Sequence, residues 1–125
     1  MKQFLLLMLF IACCVVILKL YTHRGKRLTA AQAKARLDSG DAVVLLDVRT
    51  EEEFAEGHIP GAVCLPLDAL ERDAAKVLPD KSAEILVYCR SGSRSAKAAR
   101  KLTGLGYTHV ADFGSIQDWP YETTR

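Results

Sequence analysis

The sequence predicts an α/β domain with a mainly parallel central sheet flanked by helices, preceded by one apolar helix at the N-terminus. The first observation is that residues 43–46 (VVLL) and 84–88 (EILVY) are largely apolar runs of strand length, typical of strands buried on both faces of a sheet. The second is that segments with helical features separate these strands, a pattern typical of parallel α/β sheets. The third is an unbroken apolar run at residues 4–18.

Length and charge limit the classes of protein to consider. The chain has 125 residues, with 17 Lys and Arg against 15 Asp and Glu, for a formal net charge of +2. About 100 residues follow the apolar segment, which is enough for one domain with one core. Apart from a cluster at residues 23–27, the basic residues are scattered. We therefore expect no nucleic-acid partner.

Local signals place the remaining elements. Thr29 can cap a helix that starts in the alanine-rich segment after it and ends before Gly40. Pro66 should end a short strand before it. The other predicted elements are a short acidic helix from residue 51, a strand at 62–65, a helix at 67–77, a helix at 95–102 and a strand at 110–113.

The apolar N-terminal segment predicts a membrane anchor. As a helix, residues 4–18 would cover only about 22 Å of a bilayer core of about 30 Å. Gln3 and residues 19–21 close most of this gap, because Lys19 can extend its amine to the headgroups. We predict that residues 1–27 form a single-pass transmembrane anchor with a basic flank, and that residues 28–125 form the domain.

Alternatives remain for this segment. Lys2 supplies the basic start of a cleaved signal peptide, but no A-x-A-like cleavage site follows the apolar run. A lipoprotein signal ending before Cys13 is disfavoured because the residues after Cys13 stay apolar. The basic residues downstream of the segment favour the cytoplasmic over the periplasmic side for the domain.

The cysteines point to chemistry rather than to disulfide bonds or a metal. Cys13 and Cys14 lie in the apolar run, which leaves Cys64 and Cys89 in the domain. Two cysteines in a domain of this size do not make a disulfide framework. There is no CxxC pair and the three histidines are far apart in sequence, so we expect no metal site. Cys64 is expected in a core strand, and the alternative for it is a role as a resolving thiol.

The segment around Cys89 is the candidate active site. Cys89 ends the second buried strand, and a short loop containing Gly92 separates it from a helix, which is where open α/β sheets bind ligands. The N–H groups of such a loop and the helix N-terminus favour an anion, and Arg90 and Arg94 add positive charge. These features favour a nucleophilic thiolate at Cys89. The alternative is a buried structural cysteine beside solvated arginines.

Several motifs, in order, resemble those of the rhodanese family, over about residues 28–119. They are LDVR at 46–49, EF at 53–54, GHIPGA at 57–62, YCRSGSRS at 88–95, and the helix from Ala98 to Leu102 with GY at 106–107. The resemblance implies a rhodanese-like three-layer fold and a sulfurtransferase activity without a cofactor.

The resemblance also implies a mechanism and a set of site residues. Cys89 would take a sulfane sulfur from thiosulfate or a persulfide donor, become a persulfide, and pass the sulfur to a thiol or cyanide. Its partners would be a small anionic donor and a thiol acceptor, which a protein can supply. The residues implied to bind substrate are Arg90, Ser91, Gly92, Ser93 and Arg94.

Other residues are expected to support the site. Asp47 and Arg49 should pair beneath it, and His58 should bond to backbone within a turn. Trp119 is expected to pack in the core. Ser115 replaces a glycine that the family often has at the edge of the site, so the motif does not define the backbone conformation there.

Three classes of function remain. The first is a sulfurtransferase, and the second is a membrane-tethered module that relays a persulfide with little free turnover. The third is the related phosphatase or arsenate-reductase class, whose loop needs five residues between the cysteine and an arginine. Here Arg94 comes one residue early and Ser95 takes the required position. The smaller loop suits a sulfur atom, which disfavours the third class.

Overall fold

The computed structural model of the chain describes residues 1–22 and 26–125, with the side chains of all of these except residues 20–22. The predicted basic flank therefore lies partly outside the described residues, at positions 23–25. The helices are α1 (Lys2–Thr22), α2 (Ala30–Asp38), α3 (Glu51–Glu56), α4 (Leu70–Val77) and α5 (Ser93–Gly104). The strands are β1 (Lys26–Arg27), β2 (Val43–Asp47), β3 (Val63–Cys64), β4 (Glu84–Cys89) and β5 (His109–Ser115).

Within the described residues, the strands form one five-stranded sheet in the order β1-β5-β4-β2-β3. All of its neighbouring strands pair in parallel. The fold is thus the predicted α/β architecture with a parallel sheet between helices. The carboxyl ends of β2, β4 and β5 lie together, and Cys89 is at that edge, opposite Ser115.

Apolar side chains cover both faces of the sheet, which explains the continuous apolar sequence of β4. Ile85, Val87 and Cys89 belong to a core on the side of α4 and α5, whereas Leu86 and Tyr88 belong to a second core on the side of α2. These five residues of β4 all have 0% exposure. Two cores separated by one sheet give the three layers.

Two helices begin with the same reciprocal cap. The Thr29 hydroxyl accepts the Gln32 N–H, while the Gln32 side chain accepts the Thr29 N–H, so α2 begins as predicted. Thr50 and Glu53 repeat this arrangement at α3. The cap of α3 matters for the site because it fixes the start of the helix that carries Glu53.

Some element boundaries differ from the predictions. The predicted helix at 95–102 begins at Ser93, because Gly92 adopts a left-handed conformation (φ +99°) that turns the chain within three residues of Cys89. The predicted helix at 67–77 begins as a 3₁₀ turn, Leu67–Ala69, before α4. The last strand extends to residues 109–115.

Strand β1 is an element that the sequence did not predict. Lys26 pairs with Ala111 and Arg27 with Asp112, at the edge of the sheet beside β5. Both β1 residues are exposed, so this strand has no apolar pattern. The boundary between anchor and domain after residue 27 stays a prediction, but a fragment that starts at residue 28 would lack this edge strand.

Helix α1 is long and apolar. Residues 2–19 form an 18-residue stretch that could cross a membrane by length and composition, and none of it is buried within the protein. Phe4, Phe10 and Leu18 are among its exposed apolar side chains. A signal sequence near an N-terminus has the same features.

Candidate active site

Cys89 lies at the end of β4, where its sulfur meets the turn into α5. The Gly92 N–H donates to the Cys89 Sγ at 3.0 Å, and the Ser95 Oγ is 3.5 Å from the same sulfur. Cys89 is fully buried. The sulfur is therefore held at the N-terminal end of a 12-residue helix, by a backbone donor and beside a hydroxyl.

Ser95 is a site residue that the sequence analysis missed. It has 0% exposure, and its hydroxyl lies 3.1 Å from the Gly92 carbonyl oxygen and 3.4 Å from that of Gly114. Its place in the first turn of α5 explains this, because helical side chains lean towards the N-terminus. The sequence does contain a signal for this role. Ser95 is the sixth residue after Cys89, and a helix that starts at Ser93 places it in the first turn.

The last strand holds the loop backbone from the other side. The pairing between β4 and β5 skips Phe113, so Gly114 stands opposite Tyr88 and Ser115 opposite Cys89. The Ser115 hydroxyl donates to the Arg90 carbonyl oxygen. Ser115, which departs from the family pattern, thus fixes the loop through its side chain.

The two arginines of the motif have different surroundings. The Arg90 side chain is exposed, and its guanidinium has no ion pair or hydrogen bond within the described part of the chain. Arg94 forms a bidentate ion pair with Glu53 of α3, with Nη1–Oε1 at 2.6 Å and Nη2–Oε2 at 3.0 Å. Arg94, which the resemblance implies to bind substrate, therefore already has a carboxylate partner within the protein.

Glu53 is the second residue that sequence analysis missed as part of the site. Hydrogen bonding to Arg94 lowers the pKa of Glu53 to about 2, from an ordinary value of 4.5. The same bond raises the pKa of Arg94. The side chains are 23% and 33% exposed, respectively, so water still screens the pair. The signal in the sequence was the spacing of Thr50 and Glu53, which predicts a cap but not this partner.

Asp47 and Arg49 form a buried ion pair at the carboxyl end of β2. The Arg49 Nη2 is 2.7 Å from the Asp47 Oδ2, and their side chains are 7% and 0% exposed. The same nitrogen donates to the Gly57 carbonyl oxygen at 2.7 Å. This pair ties the end of β2 to the turn after α3.

The remaining predicted residues lie around this centre. Ser91 and Ser93 are exposed. Cys64 lies opposite Asp47 on β3, and burial raises the pKa of its thiol to about 11. Two further residues are structural: His58 Nδ1 is 2.9 Å from the Phe54 carbonyl oxygen, and Trp119 packs against Phe113. In the described ranges, no group of three His, Cys, Asp or Glu side chains is placed to hold a metal ion.

Comparison with known proteins identifies the family. The sequence model of the rhodanese-like domain family matches residues 29–121 of this chain. The chain is 37% identical over 73 residues to the thiosulfate sulfurtransferase PspE of Escherichia coli K12, which covers 58% of this chain and 70% of PspE. It is 33% identical over 98 residues to the putative sulfurtransferase YtwF of Bacillus subtilis, which covers 78% and 93% of the two chains.

Solved structures agree. The Alr3790 protein of Anabaena superposes with a TM-score of 0.72 at 30% identity, covering 78% of this chain and 79% of that one. A structure described as a rhodanese with anions from E. coli gives 0.60 at 32% identity, covering 67% and 99%. The chain belongs to the rhodanese-like domain family, and its sulfurtransferase relatives support sulfur transfer as its general function. Some relatives are longer, since the chain spans 48% of the putative sulfur carrier protein YrkF of B. subtilis.

Proposed function

We propose that this protein is a sulfurtransferase that moves a sulfane sulfur from thiosulfate or a persulfide donor to a thiol or cyanide through a persulfide on Cys89. The observation that carries the proposal is the contact of the Cys89 Sγ with the Gly92 N–H at 3.0 Å, at the start of α5. A backbone donor at a helix N-terminus stabilises negative charge on the sulfur. A thiolate and a terminal persulfide both need that stabilisation.

Two displacements complete the reaction. In the first, the Cys89 thiolate attacks the outer sulfur of thiosulfate, a Cys–S bond to that sulfur forms, and the sulfur–sulfur bond of thiosulfate breaks. Sulfite leaves with the electron pair. In the second, an acceptor thiolate or cyanide attacks the terminal sulfur, and the Cys89 thiolate leaves with the electron pair of the persulfide bond. The charges balance in each step without a cofactor.

The surrounding residues would serve the anions that enter and leave. The Arg90 guanidinium is exposed and unpaired within the described residues, so it can meet the oxyanion of the donor. Ser91, Gly92 and Ser93 would line the cradle through their backbone. The E. coli relative described with anions supports a site for anionic ligands.

A direct assay tests this proposal against the relay alternative. The full chain in detergent is given thiosulfate and excess cyanide, and thiocyanate is measured over time. We expect many thiocyanate molecules per protein molecule. A single burst of about one equivalent would support the persulfide relay with little free turnover, and no thiocyanate at all would contradict both.

The N-terminal helix completes the proposal. Residues 1–27 would anchor the domain at 28–125 to a membrane as a single-pass protein, with the cytoplasmic side favoured. The 21 residues of α1 span about 31 Å, close to the thickness of a bilayer core. A bilayer would bury the apolar side chains that are otherwise exposed.

A further inference from the structure

The strand that follows the apolar helix reaches the active-site loop from the edge of the sheet. In β1, Arg27 pairs with Asp112 of β5, two residues before Gly114. A Cβ atom built on Gly114 would lie 3.7 Å from the Arg27 Nη2. The guanidinium of Arg27 therefore extends along β5 towards the edge where Cys89 lies.

Gly114 is the element that separates Arg27 from the sulfur. A Cβ atom built on Gly92 would lie 3.6 Å from the Gly114 Cα, so the two glycines pack against each other without side chains between them. Gly92 donates to the Cys89 sulfur, and the Gly114 carbonyl oxygen is 3.4 Å from the Ser95 Oγ. The Arg27 guanidinium thus lies beside Gly114, which forms one wall of the cradle, with no other side chain filling the place of the missing Cβ atom.

The charged groups near this wall leave the Arg27 guanidinium available to bind an anion. Its side chain is exposed, and it makes no ion pair or hydrogen bond with any side chain that the structure describes, namely those of residues 1–19 and 26–125. Asp112, its neighbour across the pairing, uses its Oδ1 to accept the Gly114 N–H at 2.8 Å. Arg94, in contrast, is neutralised by Glu53.

We propose that Arg27 is a specificity-determining residue at the mouth of the site, where its guanidinium binds the outer oxygens of a doubly charged sulfur donor. The inference rests on the proposed function and extends it. It predicts a preference for dianionic donors such as thiosulfate over singly charged thiosulfonates. It also means that the segment leaving the apolar helix contributes directly to the site.

The test compares two variants of the same strand in the full chain. Arg27→Gln and Lys26→Gln remove the same charge, but successive side chains of a strand point to opposite faces. For Arg27→Gln we expect the KM for thiosulfate to rise about 1.5- to 5-fold, as for the loss of an exposed ion contact, with kcat nearly constant. The KM for a singly charged thiosulfonate should change less. Lys26→Gln should match the wild type, and Arg27→Lys should recover part of the affinity.

A second measurement separates this proposal from the activity itself. Sulfate, an unreactive dianion, should protect Cys89 from alkylation by iodoacetamide. Mass spectrometry of the peptide that contains Cys89 measures the extent of this alkylation. The sulfate concentration for half protection should rise in Arg27→Gln and not in Lys26→Gln. Absence of turnover in the wild type would overturn the proposed function alone, because sulfate protection still decides the role of Arg27. If the sulfate concentration for half protection is the same in Arg27→Gln and Lys26→Gln, and thermal unfolding is unchanged, the inference is overturned.

Discussion

The hydroxyl of Ser95 has a choice of acceptors around the reactive sulfur. The Cys89 Sγ, the Gly92 carbonyl oxygen and the Gly114 carbonyl oxygen all lie within 3.5 Å of it. A hydroxyl has one proton to donate, and a charged acceptor forms the stronger bond. We therefore expect Ser95 to donate to the sulfur when Cys89 is a thiolate, and to a carbonyl group when it is a thiol.

This choice predicts a loss of activity in Ser95→Ala. Removal of one hydrogen bond worth about 0.5–1.5 kcal/mol should lower kcat/KM for thiosulfate about two- to tenfold. The matched control is Thr103→Val, which removes a hydroxyl that bonds to the Ala99 carbonyl oxygen in the same helix, far from Cys89. Steady-state kinetics of both variants check this. Equal losses in the two variants would show that Ser95 acts through the helix alone.

Single residues differ in how well the sequence predicts them. Cys89 is predictable because a buried strand, a glycine and a helix follow one another along the chain, so that local order alone defines its place. The roles of Ser95 and Glu53 depend on where α5 begins and on how α3 packs beside it. Both are features of the tertiary structure, which the spacing of residues in the sequence does not predict.

At the scale of elements, the Glu53–Arg94 ion pair joins α3 to the first turn of α5. Because the folded pKa of Glu53 is about 2 and its ordinary value is 4.5, the carboxylate contributes stability that is fully present above about pH 5. This contribution is lost as the pH falls through the folded pKa. The exposure of both side chains limits it to about 1 kcal/mol or less.

Glu53→Gln should therefore lower the free energy of unfolding by about 0.5–1 kcal/mol at pH 7, and the difference from wild type should shrink between about pH 5 and pH 2. Glutamine keeps an oxygen for the cap of α3, so the helix start is retained. Glu52→Gln, an exposed neighbour in the same helix, is the control and should have little effect. Denaturant unfolding at several pH values measures this, and a pH-independent difference would argue against the ion pair.

Element boundaries show where local signals end. The cap at Thr29 is a local hydrogen-bond pattern, so α2 was predicted at its N-terminus. The start of α5 at Ser93 depends on the left-handed conformation of Gly92, which the sequence permits but does not require. Strand β1 consists of two charged residues and exists because β5 offers an open edge, which only the assembled sheet defines.

At the scale of the whole molecule, α1 presents apolar side chains that the domain does not cover. If α1 is an anchor, the full chain should remain with membranes after high-salt and carbonate washes, because a continuous apolar span stays in the bilayer. Fractionation followed by N-terminal mass analysis measures both the location and the first residue. Recovery of a soluble chain that starts after about residue 21 would show a cleaved signal sequence instead.

The overall architecture was predictable for a physical reason. A strand covered on both faces must be apolar throughout, and two such runs separated by helices leave few arrangements other than a parallel sheet between helical layers. The motif around Cys89 then selects one family among these arrangements. Membrane insertion is different in kind, since an apolar helix of this length also serves as a signal sequence.

The central claim is that Cys89 alone carries the transferred sulfur. The most direct test is mass spectrometry of the full chain, and of the peptides obtained from it, after incubation with thiosulfate. The wild type, Cys89→Ser and Cys64→Ser are compared. If Cys89 alone carries the sulfur, the peptide that contains Cys89 gains the mass of one sulfur atom in the wild type and in Cys64→Ser. This gain is absent in Cys89→Ser, and cyanide removes it. A Cys89→Ser protein that still gains sulfur, or a folded Cys64→Ser protein that does not, would contradict it.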